Sequence, residues 1–132
     1  DNRNNLFEAS ITYRIKGTNE YLTLVEGITP DVRRSFRGFI ADRLDGNWTP
    51  LPGASDWATP FLGAPNVVFD TGVRAWTVDF SHGEMIRDGY DETLTIDPDN
   101  LQYLYQGLDV DHRSGDYSQL PWQLAIVRRS AG

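Results

Sequence analysis

Between residues 6 and 15 apolar and polar side chains alternate, with Phe7, Ala9, Ile11, Tyr13 and Ile15 set against Glu8, Ser10, Thr12 and Arg14. A period of two is the mark of a half-buried β-strand. Lys16-Gly17-Thr18-Asn19 then supplies turn chemistry, and the aliphatic run 21–28 predicts a second strand that returns beside the first as a hairpin. Thr29-Pro30-Asp31 reverses the chain again before a third predicted strand at 34–42, with Phe36 and Ile40 on one face. Asp45-Gly46-Asn47 marks another reversal. Trp48, followed by Pro50 and Pro52, suits only a short edge strand, because proline has no N–H to give to a ladder.

The composition shifts at 53–65 to Gly, Ala, Pro and Ser, with Trp57 and Phe61 embedded, which predicts a long ordered loop linking two sheets. Short strands are predicted at 66–69 and 75–80 around Asp70-Thr71-Gly72, then at 83–87, 93–96, 101–106 and 122–127, each separated by Asp, Gly, Asn or Pro. No stretch keeps an i, i+3, i+4, i+7 apolar stripe over three turns, so the predicted fold class is all-β. The strands fall into two sets, 5–52 and about 66–107, plus a last one near 122–127, amounting to about two and a half blades of a β-propeller. A propeller closes with at least four blades. The chain therefore reads either as a small sandwich or as part of a larger ring.

Length adds that 132 residues make one domain. No apolar run approaches the roughly 20 residues of a membrane helix, and the first five residues lack the basic and apolar regions of a signal peptide. A net charge of −7 argues against nucleic acid and anionic membrane as partners, since both need clustered Lys and Arg. With no cysteine, disulfides, thiolate metal sites and cysteine nucleophiles are excluded. Four Trp, six Tyr and six Phe suit both all-β packing and a surface that stacks on sugars.

Candidate chemistry is densest at 79–107, which holds His82 and many carboxylates. Asp88, Asp91, Asp97 and Asp99 mostly adjoin Gly, Pro or Asn, where turn-making explains them, and Asp79 is read with them. His82 alone is more commonly a hydrogen-bonded structural residue than a ligand. Glu8, by pattern alone, is a strand glutamate facing solvent. His112 and Arg113 lie in a polar loop and carry no predicted role.

Several motifs in order along the chain change this balance. Asn5-Leu6-Phe7-Glu8-Ala9, Leu44-Asp45-Gly46, Trp48-Thr49-Pro50-Leu51, Ser81-His82-Gly83-Glu84, Thr93-Leu94-Thr95-Ile96-Asp97-Pro98, Leu104-Tyr105-Gln106-Gly107 and Gly115-Asp116-Tyr117 resemble the C-terminal part of the glycoside hydrolase family 62 α-L-arabinofuranosidases. The resemblance implies part of a five-bladed β-propeller whose earlier blades lie outside this chain, carried elsewhere in the same enzyme or on a separate chain. It implies removal of arabinofuranosyl side groups from arabinoxylan or arabinan by an inverting mechanism, and hence a secreted, extracellular enzyme. Glu8 is then the general acid, expected to hold its proton through burial and a neighbouring carboxylate, while the general base and a third carboxylate precede it in the family and are not in this chain. His82 becomes a ligand to a calcium near the propeller axis, and Tyr117 an aromatic that binds the xylan chain. Asp99 stands where the family commonly has Cys, so ring closure rests on pairing and packing. Ser118 stands where Asn is frequent. A non-catalytic carbohydrate-binding module is the alternative, since aromatic richness and acidic charge suit it equally.

Overall fold

The computed structural model describes residues 2–130 and contains two antiparallel sheets. The first runs in sequence order through β1 (Glu8–Arg14), β2 (Tyr21–Ile28), β3 (Arg34–Ala41) and the two-residue edge strand β4 (Thr49–Pro50). The second is β5 (Ser81–Met85), β6 (Gln102–Gly107) and β7 (Gln123–Arg128), also in sequence order. Four short 3-10 turns complete the secondary structure, and no α-helix occurs among the described residues. None is long and apolar enough to cross a membrane.

The hairpin at 8–28 forms because its turn residues can take the conformation it needs: Gly17 has φ of +78°, open to glycine without strain. Along β2 the residues Leu22, Leu24 and Glu26 point to one face, two apart as strand geometry dictates. That face meets the second sheet. Phe36 of β3 lies edge-on to Tyr103 of β6 with ring centroids 5.2 Å apart, and Tyr13 of β1 accepts a hydrogen bond from the Met85 amide of β5 at 2.9 Å. With Leu22, Leu24, Leu62, Phe80, Ile96 and Tyr105 these residues form one shared core.

The loop at 53–65 is held as its aromatics predict. Trp57 covers Gly27 so closely that a Cβ there would come within 2.4 Å of the ring, and Arg37 lies 5.1 Å above that same ring. Trp76 covers Gly107 in the same way, at 2.7 Å from a built Cβ. In both sheets a strand glycine leaves room for a tryptophan.

Three predicted strands do not form. Residues 66–69 follow a 3-10 turn at Ala64–Asn66, 75–80 keep one bridge, between Thr77 and Asp109, and 93–96 keep one, between Ile96 and Ile15. Their backbone groups are satisfied singly rather than in ladders: Phe80 N–H binds the Arg34 carbonyl, and Ile96 N–H binds that of Arg14. Short apolar runs supply core side chains here without a neighbouring strand to pair with. The last strand, counted as an addition to the two sets, pairs with β6 along its whole length.

Candidate active site

Glu8 is the first residue of β1 and lies opposite Glu26 in the register with β2. The register slips between Glu8 and Ile11, and Ala9 takes φ of +52°, so a β-bulge turns the strand just after Glu8. Two like charges opposite each other on neighbouring strands repel. Arg34, at the start of β3, answers both. Its Nη1 lies 2.8 Å from Glu26 Oε2 and 3.2 Å from Glu8 Oε1, and its guanidinium rests 4.8 Å above the Phe7 ring.

Glu26 is the buried partner, with 0% exposure, and each group hydrogen-bonded to it is a donor. The Ser81 hydroxyl donates at 2.9 and 3.1 Å and the His82 amide at 2.8 Å, adding to Arg34. Burial pushes its carboxyl above the ordinary range, opposed by the His82 amide, the Ser81 hydroxyl and the Arg34 charge. Glu8 is the open one. Its side chain is 37% exposed, so the expected deep burial of the acid is not found, whereas the expected neighbouring carboxylate is present as Glu26.

His82 completes the group. Its Nε2 stands 3.0 Å from Glu8 Oε1 with the ring half exposed, so the structure brings Glu8 and His82 together although 74 positions separate them. Glu8, Glu26 and His82 each offer a ligand atom within 4.8 Å of the others. The oxygens of Glu26 are already taken by four donor contacts. Glu8 Oε1 is likewise engaged, by Arg34 and His82, which leaves the half-exposed His82 as the candidate ligand of the three.

Tyr117 begins a 3-10 turn, Tyr117–Gln119, capped by Asp116, whose side chain accepts from Ser118 N–H at 3.0 Å and Ser118 O–H at 2.8 Å. Its ring is 65% exposed, open rather than packed into the protein.

Asp79 and Arg113 depart from the turn and polar-loop readings. Asp79 is buried and accepts the Arg34 amide at 3.0 Å, while the Arg113 Nε–H donates to it at 2.7 Å. The turn reading suits the others better: Asp91 accepts from Thr93 and Thr95, Asp97 from the Asp99 amide, and Asp88 pairs with Lys16. Arg34 and Glu26 were missed altogether. The available signal was a glutamate in the apolar register of β2, where Leu22 and Leu24 predict a third apolar residue. A cavity of about 360 Å³, lined by Phe61, Val67, Met85, Tyr103 and Val127 among others, contains none of these charged groups.

The sequence and the fold are matched by known proteins. The sequence profile of Glycosyl hydrolase family 62 covers residues 1–128. The chain belongs to this family. Among curated relatives, the alpha-L-arabinofuranosidase C of Cellvibrio japonicus (strain Ueda107) is 44% identical over 123 residues, which is 93% of this chain and 19% of that protein. Among solved structures, the catalytic domain of a family 62 α-L-arabinofuranosidase from Coprinopsis cinerea is 50% identical with a TM-score of 0.89, over 96% of this chain and 38% of that one. A family 62 arabinofuranosidase from Podospora anserina, crystallised with cellotriose, is 44% identical with a TM-score of 0.89, over 97% and 39%. Another family 62 hydrolase, crystallised with xylotriose, is 43% identical with a TM-score of 0.88 over the same shares. This chain thus spans about two-fifths of the solved family 62 chains it matches, and its two sheets are part of a β-propeller.

Proposed function

We propose that this chain is the C-terminal portion of a propeller catalytic domain that removes arabinofuranosyl side groups from arabinoxylan or arabinan outside the cell. The blades that complete the ring lie in the part of the family domain that this chain does not span. The observation that carries the reading is Glu8: it is aimed by a bulge, held by Arg34, and remains the accessible carboxylate beside a buried one. A group that must meet a substrate has to be open, and one that only organises its neighbours does not.

In this reading Glu8 is the general acid of an inverting hydrolysis, giving its proton to the departing glycosidic oxygen. Inversion requires a second carboxylate, roughly 6.5–9.5 Å away, to activate water on the opposite face of the sugar. That base comes from the earlier blades. Glu26 is unsuited to it, since its oxygens are enclosed by Ser81, His82 and Arg34. Arg34 and His82 fix the position of the Glu8 carboxyl, and Tyr117 offers a face on which a xylose ring can stack. His82 is the residue that would hold a calcium ion, with water completing its shell. Such an ion would supply positive charge and ordered water beside Glu8. The relatives crystallised with xylotriose and cellotriose support a β-linked backbone as the polymer met by the pocket rim.

Glu8→Gln in the complete catalytic domain is the test, with arabinose release from arabinoxylan as the readout. Loss of a positioned proton donor should slow turnover about 10²–10⁴-fold while the circular dichroism stays native. Turnover within a factor of two of the parent would remove Glu8 from the acid role.

A further inference from the structure

Arg113 is the residue through which the loop bearing Tyr117 is tied to the Glu8 site. Its guanidinium reaches out of the 108–122 loop to two places at once: Nε donates to Asp79 Oδ2 at 2.7 Å and Nη2 to the Val32 carbonyl at 2.5 Å, with a longer contact to Asp79 Oδ1 at 3.4 Å. Asp79 in turn receives the backbone amide of Arg34, whose side chain holds Glu8. The route from the Tyr117 loop to the acid therefore passes through three residues: Arg113, Asp79 and Arg34. Asp79 is buried and charged, which is tolerable only because the guanidinium and the amide satisfy it.

Two of the three non-glycine residues with positive φ among the described residues lie beside this route, the third being Leu94. Val32 takes φ of +60° and Ala9 φ of +52°, conformations that are outliers for a β-branched residue above all. Such positions persist when their surroundings over-determine them, and they gather at functional sites. At Val32 the surroundings include the Arg113 contact to its carbonyl and its own amide bonded to the Thr29 carbonyl at 2.9 Å. The first half of the loop has other anchors, with Val110 N–H on the Trp76 carbonyl and Arg74 on Asp109 and Asp111. Beyond Arg113, the hydrogen bonds around Tyr117 are local ones within 116–120.

We propose that Arg113 is a positioning residue for polymer binding, fixing the loop that carries the Tyr117 turn relative to the strands that carry Arg34 and Glu8. This deepens the arabinofuranosidase reading and rests on it. A small aryl arabinofuranoside has no xylan chain to lay against Tyr117, so the two substrate types should separate.

The experiment uses the complete catalytic domain carrying Arg113→Lys, Arg113→Ala or Asp79→Asn, with kcat and KM measured on arabinoxylan and on the aryl arabinofuranoside. Amide hydrogen exchange at 116–120 is followed alongside. The expected result is a KM for arabinoxylan raised about tenfold or more in Arg113→Ala, with kcat on the aryl substrate within twofold, and faster exchange at 116–120. Arg113→Lys, which keeps the charge but not the planar fork, should fall between. If Arg113→Ala fails to fold, Arg113→Lys and Asp79→Asn carry the same comparison. Equal losses on both substrates, or unchanged exchange at 116–120, would overturn the assignment while leaving the enzyme reading intact. A parent domain that cleaves neither substrate would overturn that reading and the assignment together.

Discussion

Replacing Arg34 by methionine would isolate the buried charge of Glu26. The carboxylate has 0% exposure, and Arg34 is the permanent cation that touches it among the described residues. Without Arg34, Glu26 keeps only the Ser81 hydroxyl and the His82 amide as donors. Removing one partner of a buried ion pair typically costs about 3–5 kcal/mol, because the other charge is left in a low-dielectric site. Against a total stability of about 5–15 kcal/mol, that is a large fraction. Burial already raises the folded-state pKa of Glu26, and losing Arg34 raises it further. A carboxyl with a raised folded pKa contributes stability that is fully present below its unfolded pKa and is lost as pH rises through the folded value. Arg34→Met should therefore be most destabilised near pH 7 and less so toward pH 5. Each pH unit in which only the folded state holds the proton recovers about 1.4 kcal/mol. Urea unfolding followed by tryptophan fluorescence at pH 5, 6 and 7 measures this directly. The double variant Arg34→Met with Glu26→Gln should recover much of the loss at pH 7, giving a coupling energy of at least about 1.5 kcal/mol. A single-variant loss below about 1 kcal/mol, or one independent of pH, would refute the isolated-charge argument.

Gly83→Ala should destabilise by about 3 kcal/mol or more, since a Cβ would come within 1.9 Å of the Leu104 carbonyl oxygen in the facing strand; native stability in the variant would mean that β5 and β6 are spaced differently. Tyr103→Phe should be neutral or stabilising by up to about 1 kcal/mol, because the buried Tyr103 hydroxyl has no hydrogen-bond partner among the described residues; a loss above about 1 kcal/mol in urea unfolding would reveal a partner. The Thr93 and Thr95 hydroxyls hold the Asp91 carboxyl down at about 2, so the stability it contributes is present above the ordinary carboxylate range and is lost as pH falls toward 2. A carbon-detected titration of Asp91 with a midpoint at or above the usual value would contradict those bonds.

The strands of the first sheet were legible because local signals agree there. At 21–28 the apolar run is bounded by turn residues on both sides, and β2 spans those residues in the structure. Pro50 and Pro52 likewise limit β4 to two residues at the edge, as a residue without an N–H requires. Residues 66–69, 75–80 and 93–96 carry the same kind of apolar run, but pairing is a property of two segments. Ile96 and Thr77 found single bridges where a ladder partner was expected, and no pattern within one segment reveals that.

The site divides along the same line. Glu8, His82 and Tyr117 were reachable from motifs, because each lies in a short, recognisable string. Arg34, Asp79 and Arg113 do not, Glu26 does only as the end of the 21–26 strand, and what sets them apart is burial that two sheets create together. In sequence Glu26 is a glutamate within an aliphatic strand, and Arg34 an arginine after a turn. Only when β2 presents its Leu22, Leu24 and Glu26 face to the second sheet does Ser81 come within 2.9 Å and close Glu26 off from water. A buried carboxylate then requires a cation, Arg34 is the one within reach, and Arg34 in turn reaches Glu8. The open carboxylate owes its placement to the closed one. The cluster is thus a consequence of core packing as much as of any motif, and substitutions in the core facing Glu26 should be felt at Glu8 before the fold itself is lost.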